Sequence, residues 1–471
     1  MSLLDTASLV VTPNAYKEGK LYSVIPSDGS GDLSVTRATT ATRVNSQGLV
    51  ELVPYNLLSY SEQFDNAAWV KAGVGGGIVP VVTANAGIAP NGTLTADRVQ
   101  FDCVSNLSST FRSRINQSYT GIVGNAYSGS FYIKAFSPSE VGKQLRYVVE
   151  NAGISNVITI TADWQRIELS GTATATPFSY LLETRGTFTT NTTADVLLWG
   201  AQLVEGTQAK DYFATETRLN IPRLDYSLGG CPSILVEPQR TNLVLSSEDF
   251  TNAAFWNNQN TTDTANQAIS PDGTQDADRV NGDAVNTFHR IYRQASISAS
   301  TAYTFSVYVK ANTLGFIQLA LNNGFTSNYL FSPYANFNLT TGVVSQNGNG
   351  ATAQIQSLAN GWYRCSITAT SLAGATAGEY NINLINSGTL TAFQSWAGTT
   401  NDSVFLYGAQ LEAGAYPTSY IPTTSASVTR NADVISKTGI SSLIGQSEGT
   451  MFVGIYDYNF TPNNTSPYFE I

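Results

Sequence analysis

The sequence predicts an all-β protein built from two tandem β-sandwiches, and three observations lead there. The first is an internal repeat: NLLSYSEQFDNAAW (Asn56 to Trp69) returns as NLVLSSEDFTNAAFW (Asn242 to Trp256), and self-similarity of this kind outranks any single-residue motif. The second is composition. Only 12% of the 471 residues are charged while 42% are hydrophobic and 11% aromatic, a balance that suits strands with a real core and argues against disorder. The third is patterning: period-two alternation in short runs broken by Gly and Asn, with no long window of 3.6-residue periodicity.

The repeat continues in the same order. APNGTLTADRV (Ala89 to Val99) matches SPDGTQDADRV (Ser270 to Val280), and YSGSFYIKA (Tyr127 to Ala135) matches YTFSVYVKA (Tyr303 to Ala311). Trp164-Gln165-Arg166 matches Trp362-Tyr363-Arg364, and LLWGAQLVEG (Leu197 to Gly206) matches FLYGAQLEAG (Phe405 to Gly414). The spacing between copies drifts, as it does when loops change length and strands keep their order.

Taken in order, residues 1–55 lie outside both copies. They hold a turn signal, SDGSGD (Ser27 to Asp32), and the Thr/Arg-rich VTRATTATR (Val35 to Arg43). Too short for a large core of its own, this segment reads as an attachment arm. Residues 56–215 form the first module, whose many short strands imply a β-sandwich, most simply a jelly roll. Residues 216–241 carry Pro222, Pro232 and Pro238, which favour a stiff, extended connector. Residues 242–424 are the second module. Residues 425–471 read as the start of a further β domain, with EGTMFVGIYDYNF (Glu448 to Phe460) as its first strand.

The net charge of −10 argues against nucleic-acid binding, and no run of about 18 apolar residues suggests membrane insertion. No signal peptide is visible at the N-terminus. Cys103, Cys231 and Cys365 are odd in number and irregularly spaced, so buried free thiols are expected, with no disulfide framework or zinc site. The single histidine, His289, sits beside Arg290 without a nucleophile motif, and GxSxG, HExxH and paired CxxC motifs are absent. A glycosidase-type carboxylate pair leaves no sequence signature; the residues lean to binding and not to catalysis. The sequons at Asn106, Asn116 and Asn338 follow simply from an Asn- and Thr-rich composition.

Residues kept in both copies are expected to fill the shared core: Trp69 and Trp256, Trp164 and Trp362, Tyr132 and Tyr308. Asp97-Arg98 and Asp278-Arg279 are read as loop-bracing ion pairs, because adjacent residues on a strand face opposite ways and do not form one clamp. Aromatics found in one copy only are the better ligand candidates. Tyr329, Tyr334 and Trp396 fall in such stretches, and aromatic planes stack on the apolar faces of sugar rings.

The order NLL…F…W, PDG, YTFSVYVKA, GWYR and a closing strand resembles carbohydrate-binding modules of the family-4/9 type, which are jelly rolls. Flanking phrases such as VTRATTATRVNSQGLVE, NIPRLDY and ILVEPQRTNL resemble bacteriophage tail-fibre or head-fibre proteins. The resemblance implies a virion-surface location, a homotrimer, attachment to other virion proteins through residues 1–55, and adhesion to bacterial surface polysaccharide strengthened by multivalency. Related modules often close with an acidic strand that helps hold calcium. Here those positions read Gly200-Ala201-Gln202 and Gly408-Ala409-Gln410, without the carboxylates a hard cation needs, so no metal or cofactor is expected. The alternative is a purely structural spacer or decoration protein, favoured if the copy-specific aromatics are buried. An accessory region of a secreted glycan-degrading enzyme is a third reading, disfavoured by the missing leader and catalytic constellation.

Overall fold

The computed structural model describes residues 6–104, 110–151, 154–186 and 189–444, together with 450, 452 and 454. The strand expected over Glu448 to Phe460 and the sequon at Asn106 lie outside these ranges.

The chain is all-β, and its two repeats are antiparallel jelly-roll sandwiches. In module one a front sheet runs in the order Ile154–Thr159, Gln144–Val149, Phe178–Arg185, Arg112–Tyr119, Val70–Val74. Its back sheet runs Gln165–Thr172, Ala126–Ala135, Thr193–Glu205, Ala96–Asp102, Ile78–Gly87. Module two repeats both orders with one strand more in each sheet. Its front sheet is Asn257–Gln259, His289–Ser296, Ala377–Ile385, Phe316–Asn322, Tyr334–Asn338, Val343–Gly348. Its back sheet is Thr261–Ala268, Ala277–Gly282, Ser403–Ala413, Ala302–Ala311, Trp362–Thr370, Thr352–Ser357.

Alternation explains the layers. In Ala126–Ala135 the residues Tyr127, Phe131, Ile133 and Ala135 enter the core between the sheets, and in Ala302–Ala311 the residues Tyr303, Phe305, Val307 and Val309 do the same. Trp69 and Trp256 are buried in the two cores, each edge-on to a tyrosine, Tyr180 at 5.8 Å and Tyr380 at 5.7 Å.

Repeat-equivalent polar side chains knot each module at the same points. Asn56 donates to the carbonyls of Ala201 and Phe213 and accepts from the amides of Leu58 and Leu203. Asn242 does the same with Ala409, Ile421, Val244 and Leu411. Asp97 accepts from the amides of Phe64 and Asn85, and Asp278 from those of Phe250 and Asn266. Neither aspartate pairs with its neighbouring arginine, which corrects the ion-pair expectation. Arg98 points the other way, to Asp195 at 2.9 Å, as strand pleating requires.

The three segments outside the sandwiches come together in space. Val10–Lys17, Lys20–Ile25 and Leu33–Thr36 form a sheet that Val434–Ser436 completes. Arg240–Asn242 pairs with Val428–Arg430. The described part of 1–55 is therefore no free arm, residues 216–241 fold back through the short hairpin Leu224–Asp225/Ser233–Ile234, and residues 428–436 pair with existing strands, while the further domain expected after them falls outside the described residues. Buried charges hold this clasp. Arg37, Arg223 and Arg430, each 1% exposed, surround Asp433 and Glu237. Burial alone would raise the Glu237 carboxyl, but Arg223 and Arg430 outweigh it and hold it down to about 2.

The hairpin Ala41–Val44/Val50–Val53 reaches across to module two. The Val50 amide donates to the Pro271 carbonyl at 2.9 Å, and its side chain is buried among Tyr308, Trp362, Tyr407 and Tyr420 on the outer face of the back sheet. The matching patch in module one, Tyr132, Trp164, Trp199 and Tyr212, has no such cover from a hairpin, and Trp164 and Tyr132 are only half-buried.

Candidate glycan-binding face

The outer face of each front sheet decides what the two modules can do. Ile115, Leu145, Tyr147, Tyr180 and Leu182 of module one point into the core, so their strand neighbours Arg112, Arg114, Arg146, Val148, Leu181, Glu183 and Arg185 point outward. All of these except Arg114 line an open depression of about 260 Å³. Arg112, Arg146, Glu183 and Arg185 line it together with Glu150, Asn151 and Ser155, over the buried Val148 and Leu181. Glu183 is fully buried and takes Arg146 at 2.8 Å and Arg185 at 3.8 Å.

Module two fills the same positions differently. Tyr180 matches Tyr380 and Ile115 matches Ile291, so Arg112, Arg114, Arg146, Glu183 and Arg185 correspond to Phe288, Arg290, Gln318, Asn383 and Ile385. The connection after this strand spans residues 386–402, against 186–192 in module one, and the longer one folds back over the face. Gln318 donates to the Thr391 carbonyl and accepts from the Phe393 amide, while Asn336 donates to the carbonyls of Gly388 and Leu390. Ala392 and Phe393 bury themselves against Ala320 and Tyr334. Buried amide side chains and backbone groups satisfy one another here, and the face is closed.

This closure corrects two of the three candidate ligand aromatics. Tyr334 is 5% exposed and its hydroxyl accepts from Gln346. Trp396 is 6% exposed, donates to the Leu384 carbonyl and lies 4.7 Å from the His289 ring. Neither plane is open to a sugar. Tyr329 is 51% exposed beside Leu330 and Phe331, at a 3-10 turn next to the closed face. His289 is itself buried, with Nε2 3.1 Å from Asp283. The residues missed in the sequence are the arginines of the open face; their signal was the alternation Arg112-Ser113-Arg114-Ile115 in an acidic chain.

Cys103 and Cys365 are buried free thiols, whereas Cys231, expected to be buried, is exposed at the hairpin between Asp225 and Ser233. The closing-strand glutamines do not fit a calcium role. Gln202 spends its amide on Lys210 and Phe213, and Gln410 on Glu412 and Ile421.

A second cluster is half-buried beside the closing strand of module two. The Tyr407 hydroxyl lies 3.0 Å from both Glu248 and Asp272, and Tyr420 3.1 Å from Glu248. A phenol donates one proton only, so a protonated carboxyl satisfies the second contact. Burial, then repulsion from Asp276 and Asp272, raises Glu248 to about 8, and burial with Asp272 raises Asp276 to about 7.

No family model and no curated protein matches the chain in sequence. Among solved structures it is similar to the tandem CBM22-1-CBM22-2 domain of Paenibacillus barcinonensis Xyn10C, at 14% identity over 76% of this chain and 98% of that one, with a TM-score of 0.23. It is also similar to TmCBM61 solved with β-1,4-galactotriose, at 17% identity over 32% and 99%, TM-score 0.22. The enzymatically active domain of bacteriophage CBA120 tailspike protein 4 is matched at 12% identity over 32% of this chain and 22% of that one, TM-score 0.24. At such scores these likenesses say nothing of what the chain binds.

Proposed function

We propose that the chain is a polysaccharide-binding fibre subunit that presents one open sandwich face to glycan and makes or breaks no bond. One observation carries this reading: module one leaves a polar depression open on its front sheet, while module two closes the same face with its own residues 386–395. Saccharide sites are concave and carry convergent polar groups that orient the ligand. In this reading module two is a spacer, which gives the structural alternative its place within the same chain.

The phrases VTRATTATRVNSQGLVE, NIPRLDY and ILVEPQRTNL support a virion-surface setting with bacterial polysaccharide as partner. Support for association of copies, in our reading a homotrimer, comes from the repeat. Val236 stands where Val50 stands one repeat earlier, yet Val236 is 54% exposed and Val50 6%. Gly273 meets Leu49 of the docked hairpin, while its counterpart Gly92 has open space. One copy thus offers both an exposed Val236 and the less covered patch of module one.

The test is affinity electrophoresis of the full chain through gels containing a panel of bacterial and plant polysaccharides. Retardation by at least one is expected. Unchanged migration across the whole panel would leave only the spacer role.

A further inference from the structure

The open face carries a kind of charge that the rest of the chain holds in the minority. Acidic residues outnumber basic ones 34 to 24, yet Arg112, Arg114, Arg146 and Arg185 share this one surface. In the antiparallel register Arg185 lies directly opposite Arg112, and Glu183 lies between Arg114 on one side and Arg146 on the other. Like charges directly opposite each other on one sheet face are destabilising. Burial, then the proximity of Arg112, holds the Arg185 guanidinium below its ordinary value.

Glu183 does not resolve the mismatch. One of its oxygens takes Arg146 and, more distantly, Arg185, and with Glu150 counted the four arginines still outnumber the two carboxylates of the face. The Nε atoms of Arg112 and Arg114 are buried and meet no hydrogen-bond partner among the described residues. Planar guanidinium forks are suited to carboxylate and phosphate oxygens, often two bonds at a time.

We propose that the ligand of this face is an acidic polysaccharide, one whose carboxylate or phosphate groups lie between Arg112 and Arg185. The inference rests on the glycan-binding reading above and adds the chemical class. It also explains the asymmetry of the modules: the copy whose face is covered by its own loop carries Phe288, Gln318 and Ile385 where the open copy carries Arg112, Arg146 and Arg185.

The experiment is titration calorimetry of the full chain against polygalacturonate, a poly(glycerol phosphate), neutral dextran, neutral galactan and duplex DNA, at about 0.05 M and about 0.5 M salt. Binding is expected to one of the two acidic polymers, to be at least about tenfold weaker at high salt, and to fall about tenfold again in Arg112→Gln/Arg185→Gln with an unchanged melting point. If that variant does not fold, the salt response of the wild-type chain decides alone. Neutral polymer bound as tightly as acidic polymer, acidic binding indifferent to salt or to the arginines, or DNA bound as tightly as polysaccharide would each overturn the acidic-ligand inference and leave glycan binding standing where a glycan is bound. Binding to none of the polysaccharides would overturn both.

Discussion

Asn56 and Asn242 show how little of this fold is interchangeable at the scale of a residue. Each is fully buried and closes four backbone hydrogen bonds between the start of its module and the closing strand. Asn242→Ala strands two amides and two carbonyls without water, so a loss of about 3 kcal/mol is expected in urea unfolding of the full chain. The half-buried carboxyls make a second residue-scale prediction. Glu248 and Asp276 have native values of about 8 and about 7, above their ordinary 4.5 and 3.8. Their contribution is therefore fully present below about pH 4 and is lost as pH rises through about 7 to 8. Glu237, held at about 2, works in the opposite sense, contributing above about pH 4.5 and losing its effect as pH falls towards 2. The melting temperature is expected to peak near pH 4 to 5 and decline towards pH 8. Glu248→Gln, which cannot ionise, should flatten that alkaline decline; an equally steep decline in the variant would show that another group governs it.

At the scale of elements, the strands and the repeat were legible and the binding face was not. Alternation and turn residues are local signals, and the matched phrases persist because Asn56, Asp97, Trp69 and their counterparts make identical backbone contacts that few other side chains supply. The face escaped because its arginines come from three strands, at 112–114, 146 and 185, brought side by side only by the order of the front sheet. The copy-specific aromatics misled for a physical reason as well. Tyr334 and Trp396 differ from module one because the longer 386–402 connection gives module two its own lid, and aromatics there pack against it. Phe393→Ala should loosen that lid: hydrogen exchange of Phe316–Asn322 and Tyr334–Asn338 is expected to speed up, with a stability cost of about 3 kcal/mol. Unchanged exchange would mean that the segment does not seal the face.

Over the whole molecule, pieces remote in sequence act as one clasp. Residues 10–53, 223–242 and 428–436 share strands and a buried charge cluster around Asp433 and Glu237. Reading the first two as an arm and a tether followed from taking segments one at a time, since pairing between residue 36 and residue 434 leaves no local trace. Asp433→Ala takes from Arg37 its counter-charge and leaves Arg223 with Glu237 alone, and breaking a buried pair in this way costs about 3–5 kcal/mol. The expected sign is an early unfolding transition of the clasp in denaturant, ahead of the two sandwiches.

The central claim is that one face of module one meets polysaccharide and the matching face of module two does not. Hydrogen–deuterium exchange of the full chain, with and without a polysaccharide that retards it, tests this directly. Protection confined to Arg112–Tyr119, Gln144–Val149 and Phe178–Arg185 is the expected result; protection at Phe316–Asn322 and Ala377–Ile385, or around Tyr329, with none on module one, would contradict it.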